Sequence, residues 1–279
     1  MKFGEFELFV LSDGRFQLDG GAMFGVVPKV LWQKTNPDEG SNRILLGLNC
    51  LLIRCADEAI LVDTGIGSNF DEKFANMFGI DKSVNLLQGL EDVGLSAADI
   101  TKVILTHLHF DHCGGNCFKD VAGEIRPTFP DATYFMQSGE LAYAKAPDPR
   151  SRASYLARNW EPLEQAGQVQ LISGNQQIVP GVEVFVTGGH TRDHQIVRIH
   201  SDGQTACFLA DLVPTSSHLK TPYVMAYDLY PKTTMEMKER VLEQALEEHW
   251  LLIFEHAPRI KAGYLKEVEG KPQIEKIEM

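Results

Sequence analysis

Apolar positions fall into short runs along the chain, and several runs stop on a residue that can bind a metal. LNCLLIRC (48–55) and AILVDTGIG (59–67) are separated by ADE (56–58), which predicts two strands joined by a hairpin turn. The N-terminal MKFGEFELFVLSDGRF predicts a first strand. Segments 70–79 and 84–93 place apolar residues three or four apart, the spacing of helices. KVIL (102–105) predicts a short buried strand, followed directly by THLHFDHCGG. In the second half GVEVFVTGGH (181–190), HQIVRIH (194–200), QTACFLAD (204–211) and WLLIFEH (250–256) predict four more strands. Helices are expected at 137–145, 151–165 and about 233–249. Alternating strands and helices with tight hairpins predict an α/β chain, its sheets packed together with helices outside. No repeat, low-complexity tract or linker forces a boundary, so residues 1–279 are expected to form a single domain.

Composition narrows the class. Hydrophobic residues are 44% and charged residues 23%, close to globular averages. The net charge of −12 and the absence of a basic run argue against nucleic-acid binding. No apolar run is long enough for a membrane helix, and the acidic N-terminus is unlike a secretory leader, so a cytoplasmic protein without a membrane partner is expected. The five cysteines (50, 55, 113, 117 and 207) are an odd count in a long chain, which argues against a disulfide framework. Cys113 and Cys117 have no second cysteine pair downstream to complete a zinc knuckle, and they are expected to be packing thiols.

THLHFDH (106–112) changes the picture. Three of the nine histidines of the chain lie at 107, 109 and 112, with Asp111 among them. Neutral imidazole is the commonest protein metal ligand, so the cluster points to a metal site. His190, Asp211 and His256 each follow an apolar strand in the same manner. Strand ends favour ligand sites because the sheet holds them still while the loops vary.

These motifs together resemble the metallo-β-lactamase superfamily. THLHFDH is similar to its H-x-H-x-D-H signature. VDTG (62–65), GGH (188–190), LAD (209–211) and FEH (254–256) are similar to its other site motifs, in order, over roughly residues 5–267. The resemblance implies a four-layer αββα sandwich of two mixed β-sheets flanked by helices. It implies two divalent metal ions, with zinc expected and manganese, iron or cobalt as alternatives. His107, His109 and His190 would hold one metal, Asp111, His112 and His256 the other, and Asp211 would bridge them. Asp63 would orient a ligand histidine from behind, though it also suits a plain turn. A hydroxide between the cations would be the nucleophile.

Fold leaves the reaction open. Asp211 argues against β-lactamase activity, and His109 stands where flavin-linked di-iron relatives usually carry glutamate. The charge of the chain disfavours nuclease branches, and no basic C-terminal pattern suits a glutathione thioesterase. LDGGAMFGVVPKVLWQK (18–34) and DLVPTSSHLKTPYVMAYDLYP (211–231) look like the branch of quorum-quenching acyl-homoserine lactonases and methyl-parathion-hydrolase-like enzymes. A metal-dependent lactonase is therefore expected, with a phosphotriesterase or another ester or thioester hydrolase as the alternative. Met23, Phe24, Val26, Val27 and Trp32 would form an apolar pocket wall for a small-molecule lactone or ester, or else simply pack in the core. The same apolar loop could equally line a homodimer interface. Typical lactonases carry a tyrosine three residues after the bridging aspartate, where this chain has Pro214. His218 is the first candidate to replace it as acid or hydrogen-bond donor, with Tyr223 and Tyr227 behind it. Asp111, Asp211 and His218 are thus the expected catalytic residues, and Met23, Phe24, Trp32, His218 and Tyr223 the expected substrate contacts.

Overall fold

The computed structural model describes residues 1–38, 40–55 and 58–279. Two compact units emerge, one of residues 1–14 with 48–174 and the other of residues 15–47 with 175–279.

The first unit is built on a sheet of strands β1 (Lys2–Phe3), β2 (Phe6–Asp19), β3 (Arg43–Cys55), β4 (Glu58–Val62) and β5 (Lys102–Ile104). A small antiparallel pair follows, β6 (Cys117–Lys119) and β7 (Ile125–Pro127), before the sheet resumes with β8 (Thr133–Gln137) and β9 (Val169–Ile172). The sheet order is β1-β2-β3-β4-β5-β8-β9, and the unit boundary passes through β2 and β3. β3 and β4 pair antiparallel from Leu51↔Val62 to Cys55↔Glu58, as the two apolar runs predict. Residues 56 and 57 of the expected turn lie outside the described residues. β4, β5, β8 and β9 run parallel, which explains why Val103 and Ile104 are fully buried. Helices Glu72–Phe78 and Leu86–Asp92 begin where side chains of Asp71 and Asn85 accept from Phe74 N and Gln88 N. The core of this unit gathers Leu61, Leu90, Val103, Phe129, Tyr134 and Trp160 into one buried cluster.

One expected element differs. Residues 151–165 do not form one helix. Residues 151–156 are turns and coil, a single 3-10 turn covers Ala157–Asn159, and the helix is only Glu161–Gln165. Pro162 sits in its first turn, where a missing N–H costs nothing, and it bars continuity with the preceding residues.

The second unit has β10 (Gln176–Val179), β11 (Val182–Val186), β12 (Gln195–Ser201), β13 (Gln204–Phe208), β14 (Leu251–Ile253), β15 (Ala262–Val268) and β16 (Lys271–Ile277), adjacent in that order. All neighbours are antiparallel except β13 and β14. The long helix Pro231–Glu247 supplies their crossover. It buries Thr234, Lys238, Val241, Leu242 and Ala245, one stripe at helical spacing. Segment 18–34, expected as a loop, holds two short helices, Gly20–Phe24 and Lys29–Trp32. A side chain at Gly20 would collide with the Trp32 ring. Among the described residues no helix is long and apolar enough to cross a membrane.

Candidate metal centre

In the first unit, β4 and β5 end side by side, with Val62 opposite Ile104. Asp63 follows with φ 54°, a left-handed conformation that aspartate tolerates better than most residues. The turn aims its carboxylate at residues just beyond β5. Oδ1 accepts from Thr106 N at 2.8 Å, and Oδ2 accepts from Thr106 Oγ1 at 2.6 Å. His112 Nδ1 lies 3.1 Å from Oδ2. Donation there leaves His112 Nε2 as the ligating atom. The Thr106 hydroxyl has its proton on Asp63, so it accepts from His107 Nδ1 at 3.1 Å, and His107 Nε2 is left as the ligating atom. That nitrogen is 3.0 Å from His109 Nδ1. The spacing is comparable with the roughly 3.3 Å between two nitrogens on one tetrahedral zinc.

Two glycine pairs hold this arrangement. A Cβ at Gly115 would overlap the Thr64 carbonyl, and one at Gly114 would overlap that of Ile66. The D-T-G-I-G turn and the Cys-Gly-Gly segment thus meet backbone to backbone, and Thr64 N donates to His112 O at 2.8 Å. Buried Glu140 accepts from Leu108 N at 3.0 Å and from Tyr155 OH at 2.9 Å, and the Tyr155 ring stands edge-on to His109. Asp111 is buried with Oδ2 4.0 Å from His112 Nε2.

In the second unit, parallel β13 and β14 are in register with Phe208 opposite Ile253. Asp211 and His256 each lie three residues further on, so the two strands deliver them together. Asp211 Oδ1 is 3.2 Å from His256 Nε2, and Oδ2 is 2.9 Å from His190 Nε2. One carboxylate therefore offers a separate oxygen beside each imidazole, the disposition a ligand shared by two ions needs. The remaining nitrogens are engaged. His256 Nδ1 donates to Gly47 O at 2.9 Å, and His190 Nδ1 faces Asp228 Oδ1 at 2.9 Å. His194 Nε2 accepts from Asp211 N at 3.2 Å and so positions its backbone. Its proton is then on Nδ1, which meets Thr187 Oγ1 at 2.7 Å. Burial opposes a charge on His190, but Asp211 and then Asp228 outweigh it and push its pKa up to about 10. Gly189 has φ 88°, and its missing Cβ lets it lie against Thr234 at the start of the long helix.

The donor set suits hard-to-borderline divalent metals. All seven residues are buried, they supply imidazole nitrogen and carboxylate oxygen, and the second nitrogens of His107, His112, His190 and His256 are held by neighbours. His107 with His109, Asp111 with His112, and His190 with Asp211 place candidate ligand atoms within 4.8 Å of each other.

The profile of the metallo-β-lactamase superfamily matches residues 44–256, which include all seven. The chain belongs to the metallo-β-lactamase superfamily. An N-acyl homoserine lactonase of Bacillus cereus is 29% identical over 174 residues, 58% of this chain and 61% of that protein, so the match spans less than two thirds of that relative. A probable metal-dependent hydrolase from Staphylococcus aureus is 31% identical with a TM-score of 0.90 over 100% of both chains. AidC, a dizinc quorum-quenching lactonase in complex with its product, shares the metallo-β-lactamase fold with a TM-score of 0.80 at 23% identity, over 100% of this chain and 97% of that one.

Within this superfamily fold the remaining expected residues are placed as follows. Met23, Phe24 and Trp32 are buried in the second unit. Phe24 stacks on Trp32 at 5.7 Å and on His218 at 4.3 Å, and Tyr223 stands edge-on to it at 6.1 Å. Val27 is buried too, whereas Val26 is exposed. His218 is fully buried, with Nε2 2.9 Å from Met23 O and Nδ1 2.8 Å from Thr215 Oγ1. Both ring nitrogens serve the fold, in contrast with a donor poised for substrate. Lys238 fixes the same loop by donating to His218 O and Tyr223 O. The cysteines form no disulfide among the described residues, and none belongs to a metal-ready group there. Burial pushes the Cys117 thiol up to about 12, far from a reactive thiolate.

The state of His218 has a pH signature. Burial, reinforced by Lys238 and opposed by the bond to Met23, lowers its pKa from 6.5 to about 3. Below the unfolded value, unfolding takes up a proton that the native ring refuses. This contribution to stability is complete above pH 6.5 and is lost towards pH 3, at no more than about 1.4 kcal/mol per pH unit. His218→Gln should flatten the decline in unfolding free energy between pH 7.5 and 5.5. Urea titrations with equal slopes for both proteins would contradict the buried neutral ring.

Proposed function

We propose that the protein is a dinuclear metal-dependent hydrolase that opens lactone rings, with acyl-homoserine lactones or related small lactones as substrates. The observation that carries this reading is the Asp211 carboxylate, with one oxygen beside His190 and the other beside His256. In it, His107, His109 and His190 hold one ion, Asp111, His112 and His256 hold the second, and Asp211 serves both. In this reading residues 1–279 would work as a single catalytic domain. Two such ions, zinc by preference, supply Lewis acidity and lower the pKa of water to near neutrality. The chain supplies the rest. Asp63, Thr106, Gly47 and Asp228 fix the rings so that each offers its ligating nitrogen without rearrangement. Glu140 and Tyr155 hold the Leu108 backbone and the His109 ring. Water adds to the acyl carbon, the ring C–O bond breaks, and the products are a carboxylate and an alcohol. The lactonase relative and the ordered motifs favour lactones over phosphotriesters.

Elemental analysis with pH-stat assays on a lactone panel tests the reading. About two metals per chain, with turnover lost on chelation and restored by metal, is the expected result. Phosphotriester turnover without lactone turnover would overturn the substrate class. Turnover that survives complete removal of metal would overturn the reading altogether.

A further inference from the structure

Two buried donors of the first unit meet no acceptor on the protein. They are Asn69 Nδ2 and Arg158 Nε. Both residues line one small pocket of about 10 Å³, whose walls include the side chains of Phe70, Phe74, Phe110 and Leu156. A pocket of that size takes about one water-sized occupant. Native interiors leave few buried polar atoms unpaired, so two at one pocket call for a common cause. Arg158 also has no ion pair among the described residues, whereas Arg54, Arg126 and Arg198 each have a carboxylate partner.

The pocket lies against the turn that carries the candidate ligands of its own unit. Phe110 stands between His109 and Asp111, and its N–H donates to Ser154 O at 2.9 Å. Asn159, next to Arg158, donates from Nδ2 to Cys113 Sγ at 3.7 Å and accepts at its carbonyl from Asn116 Nδ2 at 3.2 Å. Asn69 comes from the segment between the Asp63 turn and the helix Glu72–Phe78. An occupant bonded to Asn69 and Arg158 together clasps residues 66–74 and 154–159 around Phe110.

We propose that this pocket is a halide site, in which Asn69 Nδ2 and Arg158 Nε hold one chloride ion. The inference stands apart from the hydrolase reading. Both unpartnered atoms are donors, and one belongs to a permanently charged group, so their partner is an acceptor and by preference an anion. A water would have to place its own two protons as well, and the side chains of Phe70, Phe74, Phe110 and Leu156 offer no oxygen or nitrogen to take them. A phosphate or sulfate brings more oxygens than two donors and a one-water pocket can satisfy. A single-atom anion fits the volume, uses both donors and is balanced by the guanidinium. Its loosely held hydration suits walls that are largely apolar.

The test replaces sodium gluconate by sodium chloride at constant ionic strength and follows the thermal midpoint of the purified full chain and of Arg158→Met. The chloride effect on the wild type should exceed that on the variant by about 2–4 °C, the shift given by a ligand at about five times its dissociation constant. Taking the difference cancels the general effect of salt on stability, which both proteins share. Sodium formate in place of chloride should produce no such difference. Crystals of the wild type grown without halide and soaked in bromide should show an anomalous peak within hydrogen-bond reach of Asn69 Nδ2 and Arg158 Nε. That measurement needs no variant and decides the question if Arg158→Met does not fold. Equal chloride effects on the two folded proteins, a formate difference as large as that of chloride, or no anomalous peak at that place in the bromide crystal would each overturn the assignment.

Discussion

Asp211→Asn is expected to abolish lactone hydrolysis while the protein still folds. The amide keeps the volume of the carboxylate, and the backbone N–H still donates to His194 Nε2. One of its two terminal atoms, however, becomes an NH2 that cannot ligate. Either His190 or His256 then faces a donor in place of an oxygen, and the negative charge that the proposed pair of ions would share is gone. Loss of an outer hydrogen-bond partner typically costs about 10–100-fold in metal affinity or activity, and the loss of a shared ligand should exceed that. The measurements are kcat/KM and metal content of the purified variant, with circular dichroism to confirm the fold. Activity within tenfold of the wild type, at full metal content, would remove the basis for Asp211 as a shared ligand.

Asp63→Ala should damage the other half-set through position and not through ligation. Asp63 is fully buried and receives Thr106 N, the Thr106 hydroxyl and His112 Nδ1. Alanine leaves these donors without their acceptor, at about 1–3 kcal/mol for each buried group left unsatisfied. It also has to adopt a φ of 54°, which asparagine bears more easily. Asp63→Ala should therefore lower the thermal midpoint and weaken metal binding about 10–100-fold, measured by competition with a chelator. Asp63→Asn should lose less stability than alanine yet still bind metal weakly, because its amide can accept from only part of the set. Wild-type metal affinity in both variants would show that His112 does not depend on Asp63 for its orientation.

The candidate ligand clusters were legible because each of their members stands just past an apolar strand, and a buried strand announces itself in four or five residues. The superfamily and its mixed α/β fold followed from the order of those strand ends. Asp228 was hidden for the opposite reason. It lies in a loop rich in proline and tyrosine with no strand before it, and only the chain reversal that brings it to His190 reveals its role. Glu140 and Tyr155 are similar, since their meeting at Leu108 joins two segments far apart from it in sequence. Periodicity could not register the helices Gly20–Phe24 and Lys29–Trp32, which are barely one turn long. It also merged residues 151–165, where apolar spacing persists across a break that Pro162 marks.

The histidines differ in what holds their second nitrogen. His256 leans on the carbonyl of Gly47, whereas His112 and His190 lean on the carboxylates of Asp63 and Asp228. A carbonyl belongs to every amino acid, so no substitution at position 47 deletes that partner. A single change at 63 or 228 does delete one. The centre therefore presents an uneven target to inheritance. Substitutions accumulating at random would unseat His112 or His190 first, through Asp63 or Asp228, and His256 would be the last ring to lose its aim.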